Sequence, residues 1–375
     1  MSVQFIGFIS HQESSEAIAP SGPVINKAWV RSVAQAHEYA GFDRALIAYG
    51  SSSPDALQIA AYAAHHTSKL KLLIAHRPGF TAPTLAARSL ATLDQFSDGR
   101  IAVHIISGGN DVEQQRDGDF LNHDERYQRT DEYLDVVRKT WTSTTPFDYD
   151  GKHYQVKGNV SGVRPVQQPH LPVFFGGSSD IAIDVAGKHA DVYALWGEPL
   201  AAVKETIAKV RAAAERHGRK DAIQFSLSLR PILAETEEAA WQRAQRILET
   251  AREVVGKSAR YQERGNPTNT GSLRLLEAAN QGAVVDERLW TEIAKLTGAA
   301  GNSTSLVGTA EQVADALIEY YKLGVTTFLI RGFDPLQDAL QYGRELIPLV
   351  RAKVAALETA GNGNAVAHAP ELAAA

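Results

Sequence analysis

The chain has 375 residues, 44% of them hydrophobic, and Lys+Arg 38 against Asp+Glu 43 leave a formal net charge of -5. That balance lacks the basic excess of proteins that bind nucleic acid or anionic membranes, and no apolar run approaches the ~20 residues of a membrane span. Cysteine is absent, which excludes disulfides, thiolate metal sites and a catalytic thiol. The start, MSVQFIGFISHQESSE, shows no charged n-region, long apolar run or small-residue cleavage site, so a cytoplasmic protein is expected.

In chain order, apolar runs at 3–9, 44–48, 70–75, 101–106, 171–175, 192–195, 223–232 and 326–331 read as strands. Between them, helical periodicity covers 28–40, 83–95, 124–141, 200–217, 236–253 and 310–323. Pro54 and Pro83 suit a first helical turn, and Gly41, Gly218 and Gly324 suit a stop just past the end. Strands of this kind alternating with helices predict an α/β fold whose parallel sheet is covered on both faces. Eight strands in one run favour closure as a (β/α)8 TIM barrel. Two doubly wound halves are the competing architecture, but no GxGxxG follows a strand. Two insertions are expected: a hairpin near 147–156 with Asp150-Gly151 at its turn, and a long segment near 254–305 that includes YQERGNPTNTGS. One barrel domain over 1–355 and a flexible tail over 356–375 complete the expected organisation.

A barrel builds its site at the carboxyl ends of its strands. In order, these carry Ser10-His11, Tyr49-Gly50-Ser51-Ser52-Ser53, His76-Arg77, Ser107-Gly108-Gly109, Gly176-Gly177-Ser178-Ser179-Asp180, Trp196-Gly197, Arg230-Pro231 and Arg331-Gly332. Polar, glycine-rich ends with histidines and arginines suit an anionic ligand. In the fifth, glycines, serine hydroxyls and the amides of a helix start form a phosphate site; an ordinary loop with Ser179 or Asp180 as N-cap is the other reading. His123, Arg126 and Tyr127 share one helix face by their i, i+3, i+4 spacing, as several donors to one ligand or as a solvated surface. On the seventh strand Phe225, Leu227 and Leu229 alternate with Ser226, Ser228 and Arg230, so the polar set faces inward. An inward arginine needs an anionic partner, either a ligand or a structural salt bridge. No metal site is expected, since there is no HxH on the first strand and no HExxH. No GxSxG elbow marks a serine hydrolase.

Longer stretches carry a family resemblance: FxxFxSH near the start, RPGFTAPTLAARSLATLDQFSDGR at 77–100, ISGGND at 106–111, GDFLNHDERYQRTDEYLDVVRKTW at 118–141, FDYDGKHYQVKG at 147–158, FFGGSSDIAIDVAGKHADVYALWGEP at 174–199, SLVGTAEQVADAL at 305–317 and LGVTTFLIRGF at 323–333. Together they resemble the bacterial luciferase-like flavin monooxygenases, and within them the alkanesulfonate monooxygenase branch. The resemblance implies a TIM barrel that takes reduced FMN (FMNH2) from a separate NAD(P)H-dependent FMN reductase. With O2 it would cleave the C–S bond of an organosulfonate, a small anionic organosulfur substrate, to sulfite and an aldehyde. A homodimer or homotetramer is implied as well. An F420-dependent reductase of the same superfamily is one alternative, and a monooxygenase acting on a sulfone or other anionic small molecule is another.

Carried over by position, the resemblance places the FMN phosphate on Gly177, Ser178 and Ser179, with His123 and Tyr127 nearby and Ser107 near the ring. His11, Ser53 and Trp196 would line the reactive face, Ser53 standing where the branch often has cysteine. His76 joins the cofactor set, and His11 and His76 are the candidates for proton transfer. The substrate end departs from the branch. R-x-H on strand seven is replaced by Ser228 and Arg230, and the final S-G-Y-x-H by Arg331-Gly332-Phe333-Asp334. Arg230 and Arg331 are therefore expected to hold the substrate anion. The segment 261–272 is the candidate lid.

Overall fold

Eight short runs form the staves of a closed barrel in the computed structural model, which describes residues 3–258, 261, 267–301 and 303–366, with side chains to 360. They are β1 (Gln4–Phe8), β2 (Arg44–Ile47), β3 (Lys71–His76), β4 (Ile101–Ile105), β5 (Val173–Gly176), β6 (Val192–Trp196), β7 (Gln224–Leu229) and β8 (Val325–Ile330). All neighbours are parallel, and the ring closes where β1 meets β8, with Gln4 beside Thr327. The expected (β/α)8 barrel is thus the observed fold. Both faces of each strand are buried, which is why the strands read as near-continuous apolar runs. Ile6, Leu73, Ala102, Phe174 and Val192 fill the interior, while Phe5, Ile74, Val103, Phe175 and Leu227 pack outward on the helices.

The helices are α1 (Lys27–Tyr39), α2 (Ala56–His65), α3 (Pro83–Phe96), α4 (His123–Thr142), α5 (Asp180–His189), α6 (Leu200–Arg216), α7 (Ala310–Lys322) and α8 (Ile347–Val366). Pro83 opens α3 as expected. Pro54 instead precedes the N-cap of α2, because the Asp55 carboxylate accepts from the Gln58 amide at 2.9 Å and starts the helix one residue later. At α4 the side chains of Asn122 and Glu125 cap each other's backbone amides, which sets His123 on the first turn. No helix among the described residues is long and apolar enough to cross a membrane.

The hairpin pairs Phe147–Asp150 with Gln155–Asn159 around a turn closed by Gly151 N–H to Tyr154 O, so its second strand runs beyond the expected end. The seventh strand is shorter than its alternation predicts. It leaves the barrel after Leu229 because Pro231 has no amide to donate to the ladder. Ile232–Leu233 then joins Ser305–Gly308, Leu289–Trp290 and Val284–Val285 in a separate four-stranded sheet. Helices Glu237–Lys257, Thr270–Gln281 and Glu292–Thr297 cover this sheet. Ile232, Ala244, Leu248, Trp290, Ile293 and Val307 give it a core of its own. The insertion therefore begins at Ile232, not near 254. Helix α8 runs through Val366, well into the stretch expected as a tail.

Candidate active site

The end of β5 is shaped for close approach. Gly177 has φ +140°, and a Cβ there would stand 2.6 Å from Tyr127 Oη and 2.8 Å from Ala182 Cβ, so only glycine fits without strain. Its carbonyl accepts from the buried Tyr193 hydroxyl, which fixes the peptide. Ser179 occupies the N-cap position of α5 but makes no side-chain capping bond. Its Oγ lies 3.5 Å from His123 Nε2 instead, and no side chain among the described residues caps the first-turn amides of α5. His123 packs on Tyr127 with ring centroids 4.9 Å apart, and its Nδ1 bonds the Asp124 carboxylate at 2.7 Å. Burial pushes the Tyr127 phenol up to about 12, so it stays a protonated donor. Hydroxyls, an imidazole, a phenol and helix amides thus converge on one small space. That donor set and the glycine-only cradle suit a phosphate group.

Just past the end of β4, Ser107 is buried and shares a 3.0 Å hydrogen bond with Thr130 on α4. His76 Nε2 is engaged by the Tyr133 hydroxyl at 2.6 Å, and burial lowers its pKa to about 4. The loops after β2, β3 and β4 are tied together by Arg77, which stacks on Tyr49 and bonds Glu113 at 2.9 Å. Glu113 in turn accepts the Ser51 amide at 3.1 Å. Ser53 is exposed on this rim, in a turn closed by its own amide and Gly50 O.

The opposite rim holds a cluster that the sequence did not reveal. Glu16, in the loop between β1 and α1, is buried between Arg230 Nη1 and Arg331 Nη2, the latter at 3.4 Å. Burial alone would raise the Glu16 pKa, but the charges of Arg230 and Arg331 prevail and bring it to about 2. Arg230 is 1% exposed. It also donates to Gly332 O at 2.8 Å and lies over the Phe333 ring at 3.7 Å. Of the two partners foreseen for this inward arginine, the structure shows the internal salt bridge. Arg331 is more open and lies over the Phe8 ring at 5.2 Å. His11 donates from Nδ1 to Val24 O at 2.5 Å.

Part of the insertion lies across the mouth. A Cβ on Gly109, after β4, would sit 3.3 Å from Asn269, and one on Gly271 would sit 3.3 Å from the Trp196 indole. The span is anchored by Arg274, whose guanidinium grips the buried Glu198 carboxylate through contacts of 2.6–3.0 Å. Residues 262–266 of the candidate lid lie outside the described residues. Away from the mouth, Asp131, Asp135 and His189 have ligand atoms close enough for a metal. Lys188 already places its ammonium 2.8 Å and 3.0 Å from the two carboxylates.

His37 and His104 join His76 in being lowered by burial to about 4 from 6.5. Each is neutral in the fold and takes up a proton on unfolding below pH 6.5. Stability is therefore full above that value and falls as pH drops toward 4. Thermal melts from about pH 7.5 to 4.5 should show a steady decline in Tm, and a constant Tm over this window would contradict these assignments.

A family model described as luciferase-like monooxygenase matches residues 3–327. Among solved structures, the chain is similar to a riboflavin lyase (RcaE) with modified FMN and riboflavin, at 21% identity and a TM-score of 0.78, covering 94% of this chain and 92% of that one. It is similar also to the EDTA monooxygenase EmoA from Chelativorans sp. BNC1, at 19% identity and a TM-score of 0.73, covering 94% of each. An F420-dependent secondary alcohol dehydrogenase bearing an F420-acetone adduct matches at 18% identity and a TM-score of 0.68, covering 93% of this chain and 99% of that one. At such identities the likeness is one of fold.

Proposed function

The chain belongs to the luciferase-like monooxygenase family, and from that premise we propose that it is a two-component flavin monooxygenase. It would take reduced FMN from a separate NAD(P)H-dependent FMN reductase and use O2 to cleave the C–S bond of a small organosulfonate, giving sulfite and an aldehyde. The observation that carries this proposal is the donor cradle of Gly177, Ser179, His123 and Tyr127 at the end of β5. When bound, reduced FMN supplies the two electrons with which one atom of O2 enters the substrate and the other leaves as water.

The residues divide the remaining work. Gly177–Ser179 would hold the phosphate, and Ser107, at the end of β4, would help to orient the ring. Trp196, packed against Gly271 of the insertion, would wall the pocket that holds the ring. His11 Nε2 holds or accepts a proton beside the substrate. Arg331, at the edge of the mouth, meets the substrate's anionic group. Arg230 acts through Glu16, pinning the loop between β1 and α1. The Asn269–Gly271 span excludes water, without which reduced flavin loses its electrons to O2 unproductively. Arg274→Ala should therefore raise hydrogen peroxide formed per product about 3- to 10-fold, and an unchanged ratio would remove the lid role.

Anaerobic titration with photoreduced FMN, then air and a panel of sulfonates and sulfones scored for sulfite, tests the proposal. Saturable flavin binding with sulfite release supports it; oxygenation without sulfite moves the substrate to another anionic class. The fold shared with an F420-dependent enzyme keeps a reductase as the second reading. Binding of F420 in place of FMN, with no oxygen uptake, would establish it.

A further inference from the structure

On the arc from β3 to β7, the upper interior of the barrel is lined by small side chains around one imidazole, which Phe174 flanks in register. Register places Ala75 on β3 beside His104 on β4, and Gly176 on β5 beside Ala194 on β6, which neighbours Ser226 on β7. Below them Leu73, Ala102, Phe174 and Val192 seal the interior. On β4, Ile101, Val103 and Ile105 pack outward and Ala102 packs inward, so His104 points toward the axis as well.

His104 makes no hydrogen bond within the described residues, and its Nδ1 is buried without a partner, whereas Nε2 is not sealed from solvent. A neutral imidazole carries a single N–H, and with Nδ1 sealed in the wall Nε2 is the nitrogen left to meet a ligand in the mouth. Burial keeps the imidazole neutral, with a pKa of about 4.

Gly176 separates this imidazole from the phosphate cradle. A methyl there would meet Ala194 O at 3.3 Å, Ala194 Cβ at 3.7 Å and His104 Cε1 at 3.9 Å, so the protein itself admits alanine with a small adjustment. Gly176 ends β5 just before the Gly177–Ser179 cradle, and β5 pairs with β4, so its bare α-carbon stands between the cradle and His104. A ligand with its phosphate in the cradle and its ring over the small-residue layer crosses Gly176 and arrives at His104.

We infer that His104 Nε2–H donates a hydrogen bond to an acceptor on the edge of the flavin ring, and that Gly176 is the gap through which the ribityl chain passes. This rests on the flavin-binding reading above and adds to it a ring contact and a steric gate.

The test titrates the full-length protein anaerobically with FMN and with photoreduced FMN by equilibrium dialysis. His104→Ala should raise Kd about tenfold, and His104→Gln, whose amide N–H reaches the Nε2 position, should stay within about threefold of wild type. Gly176→Ala should raise Kd at least about tenfold while Tm stays near that of wild type. Nitrogen-15 NMR of the ligand-free protein should find the His104 proton on Nε2. A proton on Nδ1, or equal flavin affinity in His104→Ala and wild type, overturns the inference alone. A wild-type chain that binds neither flavin form overturns the functional reading and the inference with it.

Discussion

Replacing Arg230 with Met is expected to cost about 3–5 kcal/mol of folding stability, the largest loss among single substitutions around the mouth. The guanidinium and the Glu16 carboxylate are both nearly sealed from water, at 1% and 5% exposure. Removing the arginine leaves a buried carboxylate with Arg331 at 3.4 Å as its remaining described partner. The sign of the acid response follows from the same pair. Glu16 sits at about 2 against an ordinary 4.5, so its stabilisation is present above pH 4.5 and lost as pH falls toward 2. Without Arg230 the burial that raises the Glu16 pKa prevails, and the loss begins at higher pH. Urea denaturation of Arg230→Met, and of Arg230→Met combined with Glu16→Gln, measures both effects. The double variant should recover at least about half of the loss, because the uncompensated charge is gone. A single variant within about 0.5 kcal/mol of wild type would show that the pair contributes little.

The second large effect concerns ligand binding. Ser179→Asp should weaken FMN binding about 100-fold while changing riboflavin affinity less than about threefold. The new carboxylate would stand before the α5 amides, beside His123 Nε2, where the phosphate would be. Riboflavin, which lacks the phosphate, does not meet this repulsion. Aspartate is also a good N-cap residue, so Tm should hold or rise, which separates lost binding from lost folding. Equal weakening of both flavins would place the phosphate elsewhere.

Much of this architecture is legible in the residues, for physical reasons that differ from place to place. The staves are readable because strands buried on both faces must be apolar throughout, and the cradle is readable because Gly176–Asp180 is a local motif. The shortened β7 is harder to see. The alternation of Phe225 to Arg230 continues smoothly into Pro231-Ile232, and only the missing proline amide marks the break. Glu16 is invisible for a different reason. Its partners are Arg230 and Arg331, and no local pattern joins a loop residue near the start to strand ends so distant. His104 lay within reach: Ile101, Val103 and Ile105 alternate with Ala102 and His104, but a strand read as one apolar run conceals which face the imidazole takes. The crossing of Asn269–Gly271 over the mouth depends on how the insertion packs, which composition does not encode.

The closure of the ring between Gln4 and Thr327 also governs how the chain must be made. Synthesis delivers seven staves in sequence, each able to pair with the one before it, yet β1 gains its second neighbour only once β8 has left the ribosome. Until then the nascent sheet carries two open edges, the kind of template that recruits other unfinished chains. Contacts of such long sequence separation form slowly, so closure by the final stave is expected to be the slow step during which those edges stand exposed.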